Sequence, residues 1–178
     1  MVVLVTGGAR SGKSMFAQSL FSENERVVYI ATAQVYDAEM AQRVELHRRS
    51  RPAVWRTEER PTELSGVLLG EEGCLLDCVT VFASNIMYEH TAQYERIPRA
   101  AQEETEKEVK HQLDTLIDDA EACGCRLVLV TNELGSGIVP EHHVSRVFRD
   151  IAGRVNQHLA HRADEVYLCV SGIPVKIK

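Results

Sequence analysis

Eight residues near the start of the 178-residue chain have the types and spacing of a loop that holds phosphate. They match the pattern G-x-x-x-x-G-K-[ST] and are Gly7, Gly8, Ala9, Arg10, Ser11, Gly12, Lys13 and Ser14. The glycines permit positive φ and a close backbone approach, so N–H groups can converge on one anion. Lys13 would reach the β- and γ-phosphates, and the Ser14 hydroxyl would coordinate Mg²⁺. A glycine turn with an incidental lysine is the alternative, but the complete match favours nucleoside triphosphate binding.

Polar side chains follow two later runs of buried-strand character. Asp77 ends the run at residues 73–77, and Asn132 and Glu133 follow the run at residues 126–130. Ligands of open parallel sheets bind beyond the carboxyl ends of strands, so Asp77 could meet Mg²⁺ or its waters. The alternative for Asp77 is a cap on a following helix. Asp77 and Glu133 are also candidates for the base that activates a substrate hydroxyl, although phosphoryl transfer can depend mainly on positioning and charge neutralisation.

One histidine stands beside a cluster of arginines. The apolar spacing after Asp37 predicts a short helix with His47 on its inward face, and Pro52 ends this element. A neutral imidazole is a competent nucleophile towards phosphorus, and neighbouring arginines could clamp the charge of departing pyrophosphate. These arginines are Arg48, Arg49 and Arg51. A histidine in such a place is more often a packing residue, so the residues alone leave both roles open.

The chain alternates strand and helix patterns around these groups. Strands are predicted at 2–5, 26–31, 73–77, 126–130, 165–170 and 174–177, with a short extended piece at 55–59. Helices are predicted at 14–20, 37–47, 61–69, 79–87, 99–123 and 144–159. Residues 89–98 are polar and are a candidate substrate-closing loop. This order predicts an α/β fold of the P-loop NTPase type over residues 1–178, as one domain. Its mainly parallel sheet would carry helices on both faces and a C-terminal antiparallel hairpin turning at Ser171 and Gly172.

Composition narrows the class of protein. The chain is 44% hydrophobic and 26% charged, as in ordinary globular domains, and its net charge of −6 argues against a protein that coats nucleic acid. Its five cysteines lack C-x-x-C spacing, so neither a zinc site nor a disulfide framework is expected. Neither a targeting segment nor a membrane span is evident, which predicts a cytoplasmic enzyme.

The sequence resembles the bifunctional adenosylcobinamide kinase / adenosylcobinamide-phosphate guanylyltransferase family of cobalamin biosynthesis. The resemblance runs essentially from end to end. The segments that carry it are residues 5–14, 29–34, 37–40, 43–47, 51–59, 75–78, 130–141 and 148–157. The phosphate loop alone would be unspecific, but its combination with the segments around His47 and at 131–141 is highly specific.

The resemblance implies two reactions. The hydroxyl of adenosylcobinamide attacks the γ-phosphate of ATP or GTP; then His47, the only histidine in the matching segment, attacks the α-phosphate of GTP and passes GMP to the phosphorylated corrinoid. It also implies a homotrimer and a set of nucleotide contacts in addition to the phosphate loop. These contacts are Thr32, Ala33, Gln34, Arg48, Arg49, Ser50, Arg51, Glu59 and Asp77.

Two other classes of function remain open to the sequence. A kinase acting on another small alcohol would keep Gly7 to Ser14 but would have no need of His47. A non-enzymatic nucleotide switch, or an ATP-driven nucleic-acid module, would bind nucleotide without modifying a small substrate. The chain lacks the basic stripe and aromatic stacking segment typical of nucleic-acid binders, which counts against the last of these.

Overall fold

A computed structural model describes residues 1–34 and 51–178. The predicted helix at 37–47, with His47, and the neighbouring Arg48, Arg49 and Ser50 lie outside the described residues. The strands are β1 (Val2–Gly7), β2 (Val27–Ala31), β3 (Arg56–Glu59), β4 (Gly73–Asp77), β5 (Arg126–Asn132), β6 (Glu165–Val170) and β7 (Ile173–Lys176). The helices in the described ranges are α1 (Lys13–Ser19), α2 (Val79–Thr91), α3 (Arg99–Cys123) and α4 (His143–Arg162).

The described strands form one sheet in the order β3-β2-β4-β5-β1-β6-β7. Neighbouring strands from β3 to β6 run parallel, and β7 pairs antiparallel with β6. Parallel neighbours end at the same edge, so the chain leaves five adjacent strands, from β3 to β1, on the side where ligands of such sheets bind. The predicted fold class is confirmed, including the C-terminal hairpin.

Each face of the sheet has its own core. Residues such as Leu4, Ile30 and Leu129 pack under α2, α3 and α4, whereas the alternate residues Val5 and Leu75 pack under α1. This division follows from the two-residue period of a strand. The continuous apolar runs seen in the sequence are therefore those of strands buried on both faces.

The long helix has the predicted bounds and the predicted buried stripe. Val109, Leu113, Leu116, Ile117 and Ala120 of α3 are fully buried. Gly124 ends the helix with a φ of +72°, and its N–H donates to the carbonyls of Ala120 and Glu121. The left-handed conformation that glycine tolerates best is what stops the helix here.

The predicted helix at residues 61–69 is wrong. The segment consists of turns, bends and irregular backbone, with Gly66 at positive φ and Gly70, directly after the segment, likewise. Leu64 and Val67 are buried in the core, and the backbone N–H of Leu64 donates to Gln112 Oε1 at 3.1 Å. Tertiary hydrogen bonds and burial thus replace the helical bonds that the local pattern favoured.

The candidate loop at 89–98 is shorter than predicted. Helix α2 continues to Thr91, and the side chain of Ile97 is buried. Gln102 Nε2 donates to the Ile97 carbonyl at 3.0 Å. Substrate closure by this loop remains a prediction, and the anchored Ile97 confines any such movement to residues before it.

The cysteine and membrane predictions can be compared with the described residues. All five cysteines are free thiols. Four of them are buried, and burial raises the pKa of Cys125 to about 12. None of the helices within 1–34 and 51–178 is long and apolar enough to cross a membrane.

Gly73 at the start of β4 provides a test of the packing beneath α1. A Cβ added there would lie 2.5 Å from Phe21 Cε1 and 3.1 Å from Val27 Cγ2. We expect Gly73→Ala to lower the free energy of unfolding by about 1–3 kcal/mol because the core must shift to admit it. The matched control is Gly153→Ala, on the exposed side of α4 with no atom within 4 Å of the added Cβ. It should raise stability by up to about 1 kcal/mol. Urea unfolding measures both, and equal effects would contradict this packing.

Candidate nucleotide-binding active site

The phosphate loop lies where its pattern predicts, between β1 and α1. Gly12 is the N-cap of α1 with a φ of +89°, and its carbonyl accepts the Phe16 N–H at 3.0 Å. Lys13 Nζ donates to the Gly8 carbonyl at 3.0 Å, which places the ammonium over the loop. The buried Ser11 Oγ has no hydrogen-bond partner among the described residues. A cationic loop with an unsatisfied buried hydroxyl fits an anionic ligand.

The C-terminal hairpin braces this loop. The Gly172 N–H, in the turn between β6 and β7, donates to the Ser11 carbonyl at 2.9 Å. A Cβ on Gly12 would lie 3.0 Å from Gly172 Cα, and one on Gly7 would lie 2.6 Å from both Cys169 O and Ser11 Oγ. Close backbone packing therefore requires glycine at both ends of the phosphate loop. Sequence reasoning predicted the hairpin but missed this contact, because nothing local links residues so far apart in the chain.

The strand ends bring most of the described site predictions to one edge. In sheet order, β3 ends at Glu59, β2 leads into Thr32, β4 ends at Asp77, β5 ends at Asn132, and β1 leads into the phosphate loop. Glu59 pairs with Ala31, and Asp77 pairs with Ala31 and Val130. Residues 32–34 thus follow the strand between Glu59 and Asp77, and their contact with a nucleotide stays a prediction.

Asp77 is held by Tyr29, a residue that the sequence analysis did not single out. The Tyr29 hydroxyl donates to Asp77 Oδ2 at 2.9 Å. Burial, followed by the nearby Asp77 carboxylate, raises the pKa of Tyr29 well above its usual value, against the opposing effect of Arg51. The hydroxyl is therefore protonated and can only donate to a carboxylate. A tyrosine in an otherwise aliphatic buried strand was the available signal, since a buried hydroxyl needs a partner.

The capping alternative for Asp77 does not hold. The residue that caps α2 is Cys78, whose Sγ accepts the Val81 N–H at 3.5 Å. Asp77 instead lies on the same sheet face as Leu75, which packs with Ala17 of α1. The carboxylate therefore shares the α1 side of the sheet with the phosphate loop.

Thr32 is fully engaged within the protein. Its hydroxyl donates to the Cys78 carbonyl at 3.0 Å and accepts the Cys78 N–H at 2.9 Å, and its own carbonyl accepts from Asn85 Nδ2 at 2.8 Å. These bonds fix the direction in which the chain leaves β2. Thr32 is thus suited to orienting Ala33 and Gln34, and its own contact with a nucleotide remains a prediction.

A ring of hydrogen bonds at the end of β5 joins the buried Thr80 and Thr131 to the half-buried Asn156 and to the backbone of Asn132. Thr80 Oγ1 accepts the Asn132 N–H at 2.7 Å, and Asn156 Nδ2 donates to the Asn132 carbonyl at 3.0 Å. Thr131 Oγ1 donates to Asn156 Oδ1 at 2.7 Å and lies 3.4 Å from Thr80 Oγ1. This closed ring ties the start of α2 to the end of β5 and to α4. It was missed because its members come from three separate elements.

The remaining predicted groups lie on either side of this edge. The Arg51 guanidinium carbon is 3.5 Å from the centroid of the Tyr29 ring, and Nη1 donates to Thr57 Oγ1 at 3.0 Å. Glu133 Oε1 accepts the Gly135 N–H at 2.6 Å, and the Glu133 N–H donates to the Gly7 carbonyl at 3.1 Å. Arg51 thus contacts Tyr29, which in turn donates to Asp77, whereas the carboxylate of Glu133 folds back onto its own loop.

The donor set fits magnesium better than zinc. Asp77 supplies one carboxylate on the α1 side of the sheet, and Ser14 supplies a hydroxyl in the first turn of α1. Among the described residues, no group of three or more His, Cys, Asp and Glu side chains could hold a metal ion. Mg²⁺ commonly takes one or two carboxylates, with phosphate oxygens and water completing its shell.

A mainly parallel sheet, a phosphate loop after the first strand and a carboxylate at the end of a nearby strand define a P-loop nucleotide-binding protein. Residues 3–177 match the family model described as cobinamide kinase / cobinamide phosphate guanyltransferase. The chain belongs to this family, which confirms the resemblance seen in the sequence and the prediction of an enzyme.

The names of full-length relatives agree with this family match. The chain is 47% identical to the bifunctional adenosylcobalamin biosynthesis protein CobU of Escherichia coli and 46% identical to CobU of Salmonella typhimurium, over 100% of each chain. It is 37% identical to the bifunctional protein CobP of Pseudomonas aeruginosa, over 98% of this chain and 96% of the relative. A KaiC-like protein from Pyrococcus horikoshii superposes with a TM-score of 0.48 at 13% identity, over 94% of this chain and 71% of that one. That last likeness is too weak to support an argument.

The tight packing around Gly7 predicts a selective loss of nucleotide binding. Gly7→Ala would place a methyl group 2.6 Å from a backbone carbonyl and from Ser11 Oγ. We expect the Kd for GTP to rise by about tenfold or more, because overpacking of 1–3 kcal/mol must be relieved by moving the loop. Gly153→Ala, on the exposed side of α4 and outside the phosphate loop, is the control, since no atom lies within 4 Å of its added Cβ. Calorimetry measures both, and similar Kd values for the two variants would contradict the assigned role of Gly7.

Proposed function

We propose that this chain, as a single domain, phosphorylates adenosylcobinamide with ATP or GTP and then transfers GMP from GTP to the product, giving adenosylcobinamide-GDP. The observation that carries this proposal is the family match over residues 3–177. Identity of 46–47% to bifunctional relatives along the whole chain supports the retention of both activities. On the basis of the same family membership, we also propose that the protein is a homotrimer located in the cytoplasm.

The kinase step follows from the phosphate loop. Backbone N–H groups of residues 7–14 would cradle the phosphates, and Lys13 would neutralise charge that develops on the γ-phosphate. The hydroxyl oxygen of the corrinoid side chain forms a bond to the γ-phosphorus as the bond to the β,γ-bridging oxygen breaks. The proton leaves the hydroxyl for solvent or a carboxylate. Asp77 and Glu133 are both candidates for this base, and each already accepts a hydrogen bond, Asp77 from the Tyr29 hydroxyl and Glu133 from the Gly135 N–H.

The second step needs a nucleophile, and we propose His47. A neutral ring nitrogen attacks the α-phosphorus of GTP, so that a P–N bond forms and the P–O bond to pyrophosphate breaks. An oxygen of the corrinoid phosphate then attacks the same phosphorus and releases the imidazole. Arg48, Arg49 and Ser50 would bind the phosphates beside His47, and Arg51, Glu59 and residues 32–34 would contact the nucleotide. Arg51 and Glu59 lie on adjacent parts of the β2–β3 side of the sheet, which supports this assignment.

Magnesium, when bound, would neutralise phosphate charge in both steps. We propose that Ser14 and Asp77 hold it. Their oxygen chemistry and their common position on the α1 side of the sheet support this choice, as does the fixed orientation that Tyr29 gives to Asp77.

The covalent intermediate gives the first test. Incubation with GTP and Mg²⁺ should add the mass of one GMP group to the intact protein, and mild acid should remove it because P–N bonds are acid-labile. His47→Ala should acquire no adduct while still binding GTP. His161→Ala, at the exposed end of α4, is the matched control and should label normally. Failure of the wild-type protein to form an adduct despite GTP binding would instead indicate a kinase without a guanylyl-histidine.

The proposed metal role of Asp77 gives a second test. Asp77→Asn keeps the size of the side chain but removes its charge, so we expect both half-reactions to slow by at least about tenfold and to need more Mg²⁺. Asp119→Asn, the same change on the exposed side of α3, should leave both rates unaltered. Initial rates over a Mg²⁺ series measure this. An unchanged Mg²⁺ dependence in Asp77→Asn would remove the residue from the metal site.

A further inference from the structure

Tyr29 joins two parts of the site through one side chain. It lies in β2, is 4% exposed, and packs with the core beneath α1. Its hydroxyl donates to Asp77 Oδ2 at 2.9 Å, and the Arg51 guanidinium covers its ring at 3.5 Å from the centroid. Arg51 follows His47 by four residues in the sequence. The ring and the hydroxyl therefore touch the two sides of the site that the proposed reactions use.

The sheet register explains why the hydroxyl meets Asp77. Tyr29 pairs with Leu75 across β2 and β4, and Asp77 is two residues further along β4 on the same face. A diagonal neighbour at this spacing is within reach of an aromatic side chain that leans along its strand. A shorter residue at position 29 would leave Oδ2 without this donor. The bond thus depends both on the register and on the length of tyrosine.

The contact with Arg51 has a separate physical basis. A guanidinium over an aromatic face is attracted by the negative ring face, by about 0.5–2 kcal/mol depending on solvation. Arg51 also donates to Thr57 Oγ1 on β3. The ring is therefore one of the surfaces against which the arginine is held, together with Thr57, and it does not need the hydroxyl for this purpose.

We propose that Tyr29 is a positioning residue for both half-reactions, with its hydroxyl orienting the Asp77 carboxylate and its ring orienting Arg51. This inference rests on the proposed function. The hydroxyl and the ring of Tyr29 then have different roles. The hydroxyl serves the metal-binding carboxylate, and the ring serves the arginine that follows the proposed nucleophile. Neither part touches a reacting atom.

The hydroxyl is tested by metal binding rather than by turnover. Mn²⁺ binding is followed by electron paramagnetic resonance in the presence of a GTP analogue with an α,β-methylene bridge, which cannot lose pyrophosphate. Tyr29→Phe should bind Mn²⁺ on the order of tenfold more weakly, since an outer hydrogen bond to a ligand carboxylate is lost. Its affinity for the analogue in EDTA should match the wild type. An unchanged Mn²⁺ affinity would overturn the role of the hydroxyl.

Tyr167 offers a matched control. Its hydroxyl also donates to a carboxylate, Glu165 Oε2 at 2.8 Å, but on β6 at the other end of the sheet from β2. Tyr167→Phe removes the same kind of bond and should leave Mn²⁺ affinity at the wild-type value. An equal loss in both phenylalanine variants would mean that Tyr29 acts through general stability, and would overturn the proposal.

The ring is tested by comparing two substitutions at the same position. At saturating GTP and metal, Tyr29→Phe should form the GMP adduct within about twofold of the wild-type rate, whereas Tyr29→Leu should be slower by about fivefold or more because the cation–π contact is lost. Equal rates in the two variants would overturn the role of the ring. Binding of the analogue in EDTA verifies that the phosphate loop of the leucine variant is intact. The test of the hydroxyl uses only Tyr29→Phe and therefore does not depend on the leucine variant.

The outcomes separate this inference from the proposed function. Failure of the wild-type protein to form a GMP adduct would contradict the proposed guanylyl-histidine intermediate. The Mn²⁺ affinities of the wild type and Tyr29→Phe could still be compared in that case. An active enzyme whose Mn²⁺ affinity is indifferent to Tyr29→Phe would defeat the positioning role alone.

Discussion

The position of β1 between β5 and β6 is the constraint on which the site depends. It places Gly7 beside Asn132 on one side and Cys169 on the other, and the Cys169 carbonyl oxygen is closer than a side chain at position 7 would allow. The phosphate loop therefore starts from a point fixed by two strands and is met at Ser11 by the Gly172 turn. A loop that presents several N–H groups to one anion binds it more tightly when the loop is already ordered, because less conformational entropy is lost on binding.

Buried polar contacts extend this order across the sheet. Thr32 joins the end of β2 to the backbone after β4, and the ring through Thr80 and Asn156 joins the end of β5 to two helices. Partners for buried polar groups are needed because an unpaired one costs about 1–3 kcal/mol. A one-residue slip of β2, β4 or β5 would break several of these bonds together. The polar contacts thus favour a single register at the edge where the ligand would bind, which apolar packing alone specifies less strictly.

The sequence predicted what local patterns can determine. The buried strands, α3 and the C-terminal hairpin follow from hydrophobic spacing and turn residues, and the P-loop follows from its glycines and Lys13. The helix predicted at 61–69 failed because Leu64 and Val67 are buried as separate anchors of an irregular segment. The bond from Tyr29 to Asp77 depends on strand register, which the sequence does not state. The role assigned to His47 came from the family resemblance, since spacing alone favoured a packing role.

In the two proposed reactions, nucleophiles attack two different phosphorus atoms of a nucleotide. The phosphate loop, held in place by the C-terminal hairpin, limits how the protein can present each of these atoms. A cradle of backbone N–H groups held at Gly7, Ser11 and Gly12 would bind phosphate in one fixed position. The choice between the γ- and α-phosphorus must therefore come from groups outside the loop, or from a second pose of the nucleotide. Arg51, stacked on Tyr29, connects the chain after His47 to the carboxylate at the end of β4. The groups that meet at the carboxyl edge of β2 and β4 would then determine which phosphorus atom is attacked. The conformation of the phosphate loop would be the same in both proposed reactions.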